Sequence, residues 1–140
     1  MRAAFYKSTR PGMQGIYNRL VRLGEKGPHS HCELIFSDGV AASASYMDGG
    51  VRFKQIDFND ADWDFVELPD HLEPAARQWF TDHEGQAYDL LGNARFPLIF
   101  LPLSRDKSFC SSAVASALGI SGGWRFGPNA LHSVLRSMSI

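Results

Sequence analysis

The chain has 140 residues, 44% of them hydrophobic and 12% aromatic, and this composition predicts a single domain over residues 1–140 with its own core. Its 14 Lys and Arg against 15 Asp and Glu give a formal net charge of −1, so no broad basic face is expected to bind nucleic acid. The apolar runs are far shorter than the roughly 20 residues that span a bilayer, so no membrane span is expected.

The first half of the chain predicts a strand, a helix and four further strands. Alternation predicts the first strand over Arg2–Lys7. Ile16, Leu20 and Leu23 then recur at helical spacing, and Gly24 is expected to end that helix. Consecutive short strands separated by turn signals are typical of an antiparallel meander. The four strands of this predicted meander cover residues 31–37, 40–46, 51–57 and 63–68.

The second half of the chain predicts helices. One helix is expected to begin near Glu73 and to end before Gly85. Further helices are predicted over 88–93, 109–118 and 129–137. Ser108 is the expected N-cap of the helix over 109–118, and Gly119 is expected to end it. The sequence therefore predicts an α+β fold in which an antiparallel sheet packs against helices.

Cys110 is the candidate nucleophile. It lies at the predicted start of a helix, in Ser108-Phe109-Cys110-Ser111-Ser112, where unpaired backbone N–H groups and the helix dipole favour a thiolate. The N–H groups of Cys110 and Ser111 would also hold the oxyanion that forms when a thiolate attacks a carbonyl. The alternative is a cysteine that only packs as a small hydrophobic residue.

His31 and Glu33 are the candidate general base and the residue that orients it. Strand alternation places both side chains on one face and turns Cys32 to the other face. An imidazole can take the thiol proton while a neighbouring carboxylate fixes its tautomer. Cys32 is therefore predicted to be structural. Considered without Cys110, the histidine and the glutamate would be an ordinary solvated polar pair.

A zinc site is an alternative use of the same region. The run His29-Ser30-His31-Cys32 and Cys110 together contain four possible zinc ligands. Alternation turns Cys32 away from the two histidines, and the sequence has no Cys-x-x-Cys pair. No metal and no other cofactor is therefore expected.

Three short motifs follow one another in a distinctive order. Ser30-His31-Cys32-Glu33-Leu34 opens a predicted strand, Gly85-Gln86-Ala87-Tyr88-Asp89 follows, and residues 110–118, CSSAVASAL, form the predicted cysteine helix. Together they resemble the circularly permuted NlpC-like members of the papain-type thiol hydrolases. These are relatives of cell-wall amidopeptidases and of lecithin:retinol acyltransferase-type proteins. In that family the histidine strand precedes the cysteine helix, as it does in this chain.

The resemblance implies a fold and an activity. The fold would be a permuted papain-like domain in which the histidine strand lies against the N-terminus of the cysteine helix. The activity would be that of a cysteine peptidase or amidase that cleaves an amide bond in a peptide or a peptidoglycan-like substrate through a thioester on Cys110. Tyr88 would face the substrate, although Tyr88 and Asp89 equally fit a capped helix start.

The sequence departs from the family at the residue that orients the histidine. Relatives often take this residue from the next strand, where this chain offers only Ser43 and Ser45. A hydroxyl supports an imidazolium less well than a carboxylate does, so Glu33 is the preferred candidate.

Two other functions use the same residues. An acyltransferase or esterase would use the same dyad and differ in the acyl acceptor or in the bond that is cleaved. A structural protein, such as a phage-associated one, would keep the fold without turnover. The absence of a signal-peptide pattern predicts a cytoplasmic protein, and the structural alternative would place it in a virus particle.

Overall fold

The computed structural model describes residues 1–45, 48–86 and 110–139, which form an α+β fold. The strands are β1 (Arg2–Tyr6), β2 (His31–Ile35), β3 (Ala41–Ser45), β4 (Gly50–Lys54) and β5 (Trp63–Glu67). The helices are α1 (Met13–Glu25), α2 (Glu73–His83), α3, of which residues 110–117 are described, and α4 (Pro128–Met138). The predicted α+β class and the antiparallel sheet are confirmed.

The sheet has the strand order β4-β3-β2-β1-β5, and its neighbouring strands are antiparallel. β2, β3 and β4 form the predicted meander. The prediction that the next strand continues this meander is wrong, because β5 lies at the opposite edge, where Arg2 of β1 faces Glu67. In the connection between β4 and β5, Ile56 and Phe58 pack against the apolar cluster that includes Trp63. Burial of these apolar side chains favours a connection that crosses the sheet over a third hairpin.

The two faces of the sheet differ in what covers them. Helices α2, α3 and α4 cover one face, which we call the helix-covered face. Its fully buried side chains include Phe5, Leu34, Phe80, Val114 and Leu131. Each such side chain contributes about 1.5–3 kcal/mol to folding. The second face carries a smaller cluster of Ala4, Tyr6, Ile35, Ala41 and Trp63.

Helix α1 differs from its prediction at its C-terminal end. It continues through Gly24, because a glycine inside a helix costs only about 1 kcal/mol. The helix ends where Lys26 adopts a left-handed conformation with φ of 53° and donates its N–H to carbonyls of the last turn. Ile16 and Leu23, whose spacing predicts the helix, are 54% and 75% exposed. The periodicity thus predicted the helix correctly although its apolar face is exposed.

The remaining helices follow the predictions where they are described. α2 begins at Glu73 as predicted, and Gly119, with φ of 72°, follows α3. The helix predicted over 88–93, the substrate-facing candidate Tyr88 and the predicted N-cap Ser108 lie outside the described residues. Within the described ranges, no helix combines the length and the apolar composition needed to cross a bilayer.

Candidate functional site

His31 is the first residue of β2, and its ring is bonded to Glu33. Its Nε2 lies 2.6 Å from Oε1 of Glu33, two residues further along the same face of the strand. The Glu33 side chain is only 1% exposed, whereas 14% of the His31 side chain is exposed. The histidine is therefore the member of this pair that a molecule from solvent can reach.

Cys110 on helix α3 is the third residue of the candidate site. It is fully buried, and it forms a hydrogen bond with His31. Because Nε2 of His31 is bonded to Glu33, Nδ1 is the ring nitrogen left for the thiol. Cys110 also contacts Cys32, which points into the helix-covered face as strand alternation predicts. His31 and Cys32 point to opposite faces of β2, and the Cys110 side chain interacts with both of them. A single side chain can reach both faces only at the end of a strand, so the sulfur lies beside the start of β2.

The electrostatics of the site favour an imidazolium at His31. Burial alone would lower the pKa of His31, but the Cys110 thiolate and then Glu33 outweigh burial and raise the pKa from 6.5 to about 10. The interaction is reciprocal, so the protonated ring in turn favours the thiolate of Cys110 over the thiol. Burial, and then the contact with Cys110, raise the pKa of Cys32, so Cys32 stays a thiol.

Arg52 on β4 holds Glu33 from two strands away. Its Nη1 and Nη2 donate to Oε2 and Oε1 of Glu33 at 2.6 and 2.5 Å. Ser43 on the intervening β3 is the register partner of Arg52, and its small side chain leaves room for the guanidinium to pass. Burial would raise the pKa of Glu33, but the bonds from Arg52 and His31 lower it, so the carboxylate stays ionised.

Asp48 extends this ion pairing towards solvent. Its Oδ2 accepts from Nε of Arg52 at 2.8 Å, and its Oδ1 accepts from Nζ of Lys54 at 3.1 Å. Sequence reasoning missed both Arg52 and Asp48. The available signal is the pair of basic residues Arg52 and Lys54 at alternate positions of a strand, a few residues after Asp48 in a turn. That pattern is equally typical of a solvated strand, so the pairing depends on the sheet register.

The two serines considered as orienting residues take other positions. Ser43 donates its hydroxyl hydrogen to the carbonyl of Cys32 at 2.7 Å. Ser45 lines the cavity next to His31. Ser111, whose backbone N–H is a predicted oxyanion donor, is buried and donates its hydroxyl hydrogen to the carbonyl of Phe126. The Glu33 carboxylate is thus the group that the structure places on Nε2 of His31.

The loop that precedes His31 is held by Asn129 at the start of α4. The Asn129 side chain accepts the N–H of His29 at 2.8 Å and donates to the carbonyl of His29 at 2.9 Å. Its Nδ2 also donates to Oε2 of Glu25 at 2.6 Å. Asn129 therefore connects α1, α4 and the residues immediately before the candidate base.

Replacing Asn129 with alanine is expected to lower the free energy of unfolding by about 2–4 kcal/mol, because it leaves partners of several hydrogen bonds unsatisfied. Chemical denaturation measures this loss. Ser133, one turn further along α4, is exposed and provides the matched control, since Ser133→Ala should change stability by no more than about 0.5 kcal/mol. Equal effects of the two substitutions would show that Asn129 does not hold the loop.

The zinc alternative finds no support in the described parts of the chain. Across residues 1–45, 48–86 and 110–139 there is no group of three or more His, Cys, Asp or Glu side chains placed to hold a metal. His29, one of the four possible ligands, bonds instead through Nε2 to Oδ2 of Asp64 at 2.8 Å. Asp64 in turn pairs with Lys7 at 2.7 Å. The residues at this position therefore form a hydrogen-bonded cluster in which Asp64 of β5 binds both His29, before β2, and Lys7, after β1.

A cavity of about 270 Å³ opens beside His31 on the second face of the sheet. It is lined mostly by polar residues, among them Tyr6, Arg10, His31, Glu33, Asp48 and Arg52. Its volume is close to the lower end of ligand pockets, about 300 Å³. Because Cys110 is buried and His31 lines the cavity, a bound molecule would approach the thiol from the His31 side.

Comparison of the chain with protein-family models, curated proteins and solved structures found no match to any of them.

Proposed function

We propose that this protein is a cysteine hydrolase that cleaves an amide bond with Cys110 as nucleophile and His31 as general base. The observation that carries the proposal is the position of one imidazole between a buried thiol and a buried, ionised carboxylate. A histidine in that position can accept the thiol proton and remain charged, which is what activates a cysteine nucleophile. Glu33 orients the ring, and Arg52 keeps Glu33 ionised.

In the proposed reaction, the Cys110 sulfur forms a bond to the substrate carbonyl carbon and the carbonyl oxygen becomes an oxyanion. The N–H groups of Cys110 and Ser111 are the proposed donors to that oxyanion. The His31 imidazolium then gives its proton to the amide nitrogen as the C–N bond breaks, and a thioester remains. His31 next takes a proton from water, which attacks the thioester and releases the acid, so that the thiolate and the imidazolium return.

We further propose that the fold is the permuted papain-like one that the motifs resemble. The support is the order of the elements: a histidine at the head of β2, in an antiparallel sheet, followed much later by a cysteine in a helix packed on that sheet. Peptides, including cell-wall peptides, are the corresponding substrate class. Full burial of Cys110 is the observation that favours the alternative of a structural protein without turnover.

Acylation by 4-nitrophenyl acetate tests the proposal. A reactive thiol should release a burst of nitrophenol and leave an acetyl group on Cys110, which mass spectrometry of the intact protein and its peptides detects. Cys110→Ser should lose the burst, whereas Cys32→Ala should keep it. A burst-free wild-type protein would contradict the hydrolase and favour the structural alternative. Peptide amides, esters and added amine acceptors then distinguish amidase, esterase and acyltransferase.

A further inference from the structure

The charged side chains around the cavity beside His31 pair with one another, with one exception. Glu33 and Asp48 both bind Arg52, and Asp48 also binds Lys54. In the ranges that the structure describes, the guanidinium of Arg10 has neither an ion-pair partner nor a hydrogen-bond acceptor. Its contact is with the ring of Tyr6, whose centroid lies 4.9 Å from the guanidinium carbon. Leaving His31 aside, the lining thus has three cations against two anions, and the excess charge is on Arg10.

The backbone of Arg10 is held in a fixed position relative to His31. The Arg10 N–H donates to Oδ1 of Asn18 at 3.1 Å, and Nδ2 of Asn18 donates to the hydroxyl of Ser30 at 2.9 Å. Asn18 and Ser30 are buried, and Ser30 immediately precedes His31. On the other side, a Cβ atom at Gly15 would lie 1.9 Å from the Arg10 carbonyl oxygen, so α1 packs directly against this segment. The backbone of Arg10 is therefore fixed beside the cavity, and its guanidinium lies over the Tyr6 ring that also lines the cavity.

We propose that Arg10 binds a carboxylate of the substrate within this cavity, close to the bond on which Cys110 and His31 act. This inference rests on the proposed hydrolase function and adds a substrate class to it, namely peptides and related amides with an acidic group near the scissile bond. A guanidinium stacked on an aromatic ring keeps the N–H groups on its edge free, and those groups match the two oxygens of a carboxylate.

Matched peptides test the specificity. Short peptides that carry Glu at successive positions are compared with the same peptides carrying Gln, and cleavage is followed by mass spectrometry. One Glu position should be preferred at least about tenfold in kcat/KM over its Gln counterpart. Arg10→Gln should remove the preference and Arg10→Lys should keep part of it. Arg2→Gln is the matched control, because Arg2 also stacks on an aromatic ring, that of Phe65, but does not line the cavity.

A binding measurement separates this inference from the hydrolase proposal. N-acetyl-L-glutamate and N-acetyl-L-glutamine are titrated into ¹⁵N-labelled protein, and the side-chain Nε–H of Arg10 is followed by NMR. The glutamate probe should bind at least about tenfold more tightly, and Arg10→Gln should abolish the difference. Equal binding of the probes, no binding of either, or cleavage without any charge preference would overturn the role of Arg10. Selective binding without cleavage of any peptide would overturn the hydrolase proposal and leave the anion site standing.

Discussion

Replacing His31 with alanine is expected to slow alkylation of Cys110 by iodoacetamide about 100-fold at pH 6, measured with Cys32 replaced by alanine. The protonated ring favours the thiolate, as the rise of the His31 pKa to about 10 indicates. Without that ring, an ordinary thiol with a pKa of about 8.5 is ionised to less than about 1% at pH 6. The thiolate is the form that reacts, so the rate should fall by a similar factor.

The effect of His31→Ala on the alkylation rate of Cys110 should depend on pH. His31 keeps its proton up to about pH 10, so the ion pair with Cys110 should persist through neutral pH and disappear as the pH rises through that value. The wild-type and His31→Ala rates should therefore differ most below pH 7 and converge above about pH 9, where an ordinary thiol is ionised without help.

A histidine remote from the site provides the control for this experiment. His83 on α2 stacks on Trp79 and bonds to the Trp79 carbonyl, so His83→Ala should leave the pH profile of Cys110 alkylation unchanged. Superimposable profiles for the wild type and His31→Ala, each with the midpoint of an ordinary thiol, would show that the two residues are only neighbours. The assigned dyad would then be incorrect.

Replacing Glu33 with glutamine is expected to lower the free energy of unfolding by about 3–5 kcal/mol. The substitution removes the carboxylate from a buried pair and leaves the charge of Arg52, whose side chain is only 13% exposed, without its main partner. Arg52→Gln should cost a similar amount, because it leaves the Glu33 carboxylate buried. The double variant should lose clearly less than the sum of the two single losses, by about 0.5–3 kcal/mol. Urea denaturation of the four proteins gives this coupling energy.

The pair formed by Arg77 and Asp38 is the matched control. Its nitrogen and oxygen lie 2.9 Å apart, but the two side chains are 35% and 51% exposed, so Arg77→Gln should cost less than about 1 kcal/mol.

The contribution of Glu33 to the free energy of unfolding also depends on pH. The lowered pKa of Glu33 stabilises the fold above pH 4.5, and this contribution is lost as the pH falls below that value. The Glu33→Gln deficit should therefore shrink in acid, and a deficit independent of pH would contradict the ion pair.

The local parts of the fold and of the candidate site could be predicted from the sequence. Strand alternation places His31 and Glu33 on one face and Cys32 on the other, because a period of two is a property of the strand itself. Turn signals and apolar periodicity likewise position the helices that the structure describes to within a few residues. These features depend on near neighbours in the chain, so a single sequence is sufficient to predict them.

Features that depend on the pairing of distant strands could not be predicted. The position of β5 beside β1 depends on which edge of the sheet stays free. Arg52 reaches Glu33 only because the registers of two strand pairs align with a small residue between them. The position of Arg10 depends on the turn Arg10-Pro11-Gly12, which the sequence shows only as a break after the first strand. Its place beside the cavity comes from the buried side chain of Asn18.

The strand order also determines when the site can assemble during folding. β2, β3 and β4 follow one another in the chain, so His31, Glu33 and Arg52 can come together through short loop closures. β5 must be made before the sheet is complete, since Glu67 pairs with Arg2 of β1, and Cys110 lies further still along the chain. We therefore expect the proton acceptor and its ion pair to form early, and the sulfur to join them late. A chain emerging from the ribosome would bring the Cys110 thiol to His31 only after all five strands had been made, so reactivity of that thiol would begin late in folding.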